Sequence, residues 1–184
     1  MIKGFTLIEI VIVLGIITMI TGLSILGIVR YKAAVELNSA YTDLISSIKS
    51  QRNKANNSVS YNPDPNSPSF DTPSFYAIRF INNNYDLYVC QLFAPKSKSL
   101  TCLDELNAQP ATFATGITLE SNCPGIGFQS ITTDLVKIDS NAFTSRGIFE
   151  SKPNPAICSL TLKHNQTDST KIININLVYD TLGF

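Results

Sequence analysis

The spacing of apolar residues divides the chain into regions of different period. From Phe5 to Val29 it is predominantly apolar, and Glu9 is the single ionisable residue in the run. At about 1.5 Å per residue, such a helix crosses the ~30 Å hydrocarbon core of a bilayer. Over 30–56 the pattern becomes amphipathic. Ala34, Leu37, Tyr41, Leu44, Ile45 and Ile48 recur at three- and four-residue spacing, which predicts an apolar stripe on a continuation of the same helix. Lys49, Arg52 and Lys54 fall in its last turns, where cations suit the helix dipole, and Asn56-Asn57-Ser58 supplies a stop.

Beyond that stop the period shortens. Ser58 to Ser74 is rich in Pro, Asn and Ser, and Pro63, Pro65, Pro68 and Pro73 exclude a helix interior. Phe75–Ile81 and Tyr85–Phe93 then flank Asn82-Asn83-Asn84, a hairpin signal because Asn tolerates the positive φ of tight turns. Further strands are expected at Thr112–Leu119, Gly127–Thr132, Val136–Asp139, Ala156–His164 and Lys171–Tyr179, the last two joined by a polar turn at 165–169. One long helix followed by strands alone gives the α+β class: a lollipop with an antiparallel sheet head. The domains are expected at 1–4, 5–29, 30–56 and 57–184, respectively a leader, a membrane-spanning helix, its amphipathic continuation and a β-rich head.

Composition narrows the chemistry. Lys and Arg number 14 and Asp and Glu 14, so no global field draws the chain to nucleic acid or acidic lipid. The four cysteines, Cys90, Cys102, Cys123 and Cys158, all fall in the expected head and are even in number, which suggests two disulfides. Of the three connectivities, Cys90–Cys102 with Cys123–Cys158 is favoured. The first pair closes the excursion from Leu92 to Leu100, and the second ties the middle of the head to its final hairpin. Zinc is the weaker alternative, since no Cys-x-x-Cys pair occurs. The lone His164, beside a turn, reads as a surface residue. No Gly-rich phosphate loop, His-Glu-x-x-His or nucleophile elbow occurs, so neither catalysis nor a cofactor is expected.

Lys3-Gly4-Phe5-Thr6-Leu7-Ile8-Glu9 resembles the leader and cleavage site of type IV pilins and type II secretion pseudopilins. A secretory signal differs, with a shorter apolar core and a cleavage site after it. The resemblance implies that prepilin peptidase cuts between Gly4 and Phe5 and methylates the new N-terminus at Phe5. It further implies that Glu9 meets the Phe5 ammonium of a neighbouring subunit during assembly. The chain would then sit in the inner membrane with its head outside, engage lipid and an inner-membrane assembly platform, and pass with other pilin or pseudopilin subunits into an extracytoplasmic filament. One departure is the absence of proline between Met1 and Tyr61. Gly15, Gly22 and Gly27 are the remaining weak points, serving either local stretching or close helix packing.

Phe143-Thr144-Ser145-Arg146-Gly147 before a closing hairpin is similar to the H-type minor pseudopilins and T-type minor pilins. In this reading Gly147 supplies a left-handed turn position and Phe143 a core anchor. A non-catalytic structural subunit, minor in copy number, is therefore the leading expectation. Two alternatives stand beside it: DNA capture and adhesion through the Ser58–Ser74 loop. DNA contact would draw on Lys49, Arg52, Lys54, Lys96, Lys98, Lys163 and Lys171, yet no dense cluster is visible and no basic residue follows Lys171. The Gly4–Glu9 signal is common to pilus, secretion and competence machines and does not choose among them.

Overall fold

The structure, a computed structural model, describes residues 6–57, 73–81, 83–94, 99–104, 111–132, 134–144, 147–150, 157–177 and 181–183. For 23–26, 93, 94, 99, 104, 150 and 181–183 the backbone alone is described. One helix, α1 (Leu7–Asn56), is unbroken for 50 residues, about 75 Å. Among the described residues eleven strands follow, with a 3-10 turn at Ser140–Phe143 between the seventh and eighth: β1 (Phe75–Ile81), β2 (Asn84–Ala94), β3 (Ser99–Asp104), β4 (Ala111–Thr112), β5 (Ile117–Ser121), β6 (Gly125–Gln129), β7 (Leu135–Ile138), β8 (Gly147–Glu150), β9 (Ile157–His164), β10 (Thr170–Asn176) and β11 (Thr181–Gly183).

The head is more than the plain sheet expected from the sequence. Its strands form two antiparallel sheets. In the first, β1-β6-β7-β8-β3-β2 closes on itself because β2 also pairs with β1, giving a six-stranded barrel with β4 attached to β2. The second sheet has the order β11-β10-β9-β5. Closure follows from the 11 residues of β2. Its first half pairs with β1 from Asn84↔Ile81 to Cys90↔Phe75, while Tyr88 to Ala94 pair with β3. Asn83 takes φ 77° at the first hairpin and Asp168 φ 50° at the last.

Alternation sorts side chains into two cores. On β1, Phe75 and Ala77 point into the barrel, while Tyr76, Ile78 and Phe80 point to the helix side. The barrel is filled by these residues with Tyr88, Cys90, Leu100, Cys102, Val136, Ile138, Ala142 and Phe143. On β6, glycines take the inward positions. A Cβ at Gly125 would stand 2.6 Å from the Phe143 ring and 2.7 Å from the Ile78 carbonyl oxygen, so a larger residue would displace that ring or the backbone. Phe143 is thus a core anchor. Gly147, by contrast, is not at a left-handed position. It is needed because a Cβ there would strike the backbone of Ala142.

The second core lies between the helix and both sheets. The helix buries Ala33, Leu37, Ala40, Leu44, Ile48, Gln51 and Ala55 against the outer face of β1 and β6 and the inner face of β9 and β10. The stripe is therefore centred on Ala33 and Ala40, with Tyr41 and Ile45 on its flank; Ala34 is exposed. The helix ends where the N–H of Ile131, in the β6–β7 turn, donates to the Ala55 carbonyl at 3.0 Å. Ile131 holds φ 76° to do so, a conformation that costs a β-branched residue on the order of 1–3 kcal/mol.

Leu44→Ala should lower stability by about 2–5 kcal/mol, through lost burial and the cavity left behind. Ala34→Ser should stay within about 0.5 kcal/mol. Thermal unfolding of the full chain in detergent checks both, and equal effects would contradict the assigned face.

Candidate functional site

The N-terminal half of α1 has no partner in its own fold. None of its most apolar 18-residue window is buried, and by length and composition this helix can cross a membrane. Among the described residues, thirteen large apolar side chains between Leu7 and Val29 are exposed. Leaving them in water would cost on the order of 10–20 kcal/mol, as much as the whole stability of a typical domain. Lipid or protein must therefore cover them. Within this stretch two threonine hydroxyls are satisfied internally. Thr18 Oγ1 donates to the Leu14 and Gly15 carbonyls at 3.1 and 2.9 Å, and Thr21 Oγ1 to those of Ile17 and Thr18 at 2.8 and 3.2 Å. Such back-bonding is what a hydrocarbon environment demands of a polar side chain. Gly15, Gly22 and Gly27 have open space where a Cβ would stand.

Glu9 lies exposed in the first turn, next to the N-cap Thr6. Its backbone N–H donates to the Thr6 carbonyl at 3.1 Å, and Thr6 Oγ1 stands 3.5 Å from Glu9 Oε2. The carboxylate thus sits where the helix dipole favours negative charge, with room to accept a cation. Gly4 and Phe5 lie outside the described residues.

Where the helix enters the head, polar contacts fix its position. His164 is 1% exposed, a correction to its reading as a surface residue. It follows Cys158, Leu160 and Leu162 on the inward face of β9. Its Nδ1 accepts from the Gln166 N–H at 3.3 Å, and its Nε2 lies 3.5 Å from Glu36 Oε2. Glu36 also meets Lys32 at 3.7 Å. Two to three turns further along the helix, the Tyr85 hydroxyl lies 2.8 Å from Ser47 Oγ and donates to the Asp43 carbonyl at 3.4 Å. Burial pushes the Tyr85 phenol above its ordinary range; the Ser47 hydrogen bond opposes this and the Asp43 charge adds to it. A recess of about 170 Å³ opens beside these groups, lined by Glu36, Asp43, Tyr85 and Phe113 among others. Two more, of about 240 and 300 Å³, lie on the head surface. All three fall at or below the low end of small-molecule sites, about 300–1,000 Å³.

Two disulfides join Cys90 to Cys102, directly opposed on β2 and β3 inside the barrel, and Cys123 to Cys158, between the β5–β6 turn and β9. Among the described residues no group of three or more His, Cys, Asp or Glu is placed to hold a metal ion. Of the cations considered for DNA contact, two have neighbours near the last hairpin. Lys163 pairs with Asp168 at 3.0 Å, and Lys171 lies 4.9 Å above the Tyr41 ring. Lys49, Arg52 and Lys54 on the last helical turns each have partners. Lys96 and Lys98, like Ser145, Arg146 and residues 58–72 of the proline-rich loop, lie outside the described residues.

No family model, curated protein or solved structure matches the chain. What stands is a long N-terminal helix, apolar and bare in its first half, bearing a disulfide-linked β head on its second.

Because the folded state holds Tyr85 protonated more firmly than the unfolded chain does, its contribution to stability is full below about pH 10 and is lost as pH rises further. Tyr85→Phe should cost about 1 kcal/mol at neutral pH and flatten that alkaline decline. Melting curves of both chains between neutral pH and pH 11 measure the difference, and parallel declines would exclude Tyr85 as its source.

Proposed function

We propose that this chain is a non-catalytic subunit of a filament of the type IV pilin and pseudopilin kind. It is held in the membrane by the first half of α1 and later packed through that same half against other subunits. The observation that carries the reading is the helix itself. The described side chains from Leu7 to Val29 are exposed, Glu9 is the segment's single ionisable group, and the helix runs without a break into a half that the head grips from Ala33 to Ala55. The sequence around Gly4-Phe5 adds the processing step: peptidase cleavage between them and an N-methylated ammonium on Phe5.

Glu9 then has a physical task. A carboxylate and an ammonium that are each expensive in hydrocarbon become tolerable as a matched pair between adjacent subunits. The pair also fixes axial register between helices whose other side chains are interchangeable. Assembly energy comes from outside the chain, through a platform protein in the inner membrane. The disulfide-linked head favours a minor subunit of the H-type or T-type kind, which primes, caps or decorates the filament.

Mass spectrometry on filaments sheared from the native cell tests the reading. An N-terminal peptide beginning at N-methylated Phe5, at a small fraction of the main subunit's abundance, is expected. An intact Met1 peptide confined to membranes would overturn it. Glu9→Val should leave cleavage unchanged and reduce incorporation at least tenfold, about 1.4 kcal/mol of lost pairing or more; undiminished incorporation would remove Glu9 from the mechanism.

A further inference from the structure

The apolar surface of α1 does not stop at one height. On the face that the head covers, Arg30 interrupts it, and Ala33, 2% exposed, is already under the head. On the opposite face Ile28, Tyr31 and Val35 continue it, exposed by 64%, 73% and 48%. At about 100° per residue, the mean direction of these three lies about 170° from that of the buried stripe, whereas Arg30 lies within about 40° of it. Above Val35 the same face turns polar, with Asn38 and Thr42 both exposed. The boundary between apolar and polar surface therefore runs obliquely round the helix, roughly 8 Å higher on the side away from the head.

We infer that Ile28, Tyr31 and Val35 bed into the interfacial layer of the bilayer, so that the membrane-held subunit leaves the lipid tilted with its head on the raised side. The inference rests on the membrane-spanning reading of α1 and is independent of filament assembly. Four features select lipid as the occupant. The stripe is continuous with the span. Tyr31 falls at the depth where amphipathic aromatic rings settle. Arg30 and Lys32, both exposed, flank that ring at the level of the phosphates. Beyond Val35 the face becomes polar within one turn. A boundary offset of this size over a helix about 10–12 Å wide corresponds to a tilt of roughly 35–40°, at the upper end of the observed range for spanning helices.

The tilt decides what happens to the head's lower rim. Ala114–Gly116 and Asn165–Ser169 adjoin His164, which reaches Glu36 on the helix. On an upright helix this rim would stand about 10 Å above Val29, close to the headgroup layer, which is roughly 5–8 Å thick. Tilting away from the head lifts it clear into water.

Full-length chain in nanodiscs, with and without a gadolinium-chelating headgroup lipid, tests this by backbone amide relaxation. Enhancement at Gly116, Gln166 and Thr167 is expected to be several-fold weaker than at Tyr31 and Val35. In a Tyr31→Ser, Val35→Ser double variant the rim should rise toward the helix values as the tilt relaxes. Equal enhancement of rim and helix in the parent chain would overturn the inference. So would shielding of Val35 that grows with the protein-to-lipid ratio, because a second copy would then occupy the stripe.

Discussion

Contact between one face of α1 and two sheets at once is the constraint around which the head is organised. Ala33, Leu37, Ala40 and Leu44 alternate between small and large residues along that face, and Ile48, Gln51 and Ala55 complete it. The alanines let the backbone come close to the strands, while Leu37, Leu44 and Ile48 fill the space where the sheets diverge. The barrel wall supplies Tyr76, Ile78, Ile126 and Phe128 to this contact, and the second sheet supplies Leu160, Leu162, Ile173 and Ile175. Neither sheet could bury those side chains without the helix between them. The polar groups at the edge, Glu36 with His164 and Ser47 with Tyr85, act on a smaller scale and fix where along the helix the sheets sit.

The two halves of α1 then follow opposite rules. Above Val35 the apolar residues of the helix are buried or half-buried within the chain. Below it, apart from Ala33, the described ones are left for another medium, and internal hydrogen bonds keep the Thr18 and Thr21 hydroxyls self-contained. A helix of this kind can change surroundings, from lipid to protein, without changing its own structure. Glu9 is the exception, because its charge cannot be satisfied by either apolar medium alone.

Some of this was legible in the residues and some was not. The helix and the first hairpin were, because their signals are local: a 25-residue apolar run, a stripe at helical spacing, and asparagines between two alternating segments. Barrel closure was not. It depends on Leu100 meeting Gly147 and Ser99 meeting Ile148, partners almost fifty residues apart whose strands are too short to announce themselves. The stripe was misplaced by one residue at its start, since Ala33 and Ala34 are alike in type and only the sheets choose between them. His164 was misread because a polar residue next to a turn suggests solvent, while the alternation of β9 carries it inward to Glu36. Gly147 was expected to provide backbone freedom and instead provides room. In the candidate site, Glu9 stood out through its isolation in an apolar run, whereas the Tyr85 and Glu36 contacts join residues that nothing in the sequence links.

The separation of the cores has a consequence for how such a molecule can diversify. Among the described residues none of α1 enters the barrel interior, and the barrel touches the helix chiefly through β1 and β6. Strands β3 and β8, the first tied to β2 by Cys90–Cys102, contribute no described residue to the core shared with the helix. Substitutions on their outer surface can accumulate without disturbing the grip on α1 or the apolar shaft below it. A chain that keeps the shaft unchanged is thus free to remodel that outward wall, so the head's surface can diverge while the helix below it stays the same.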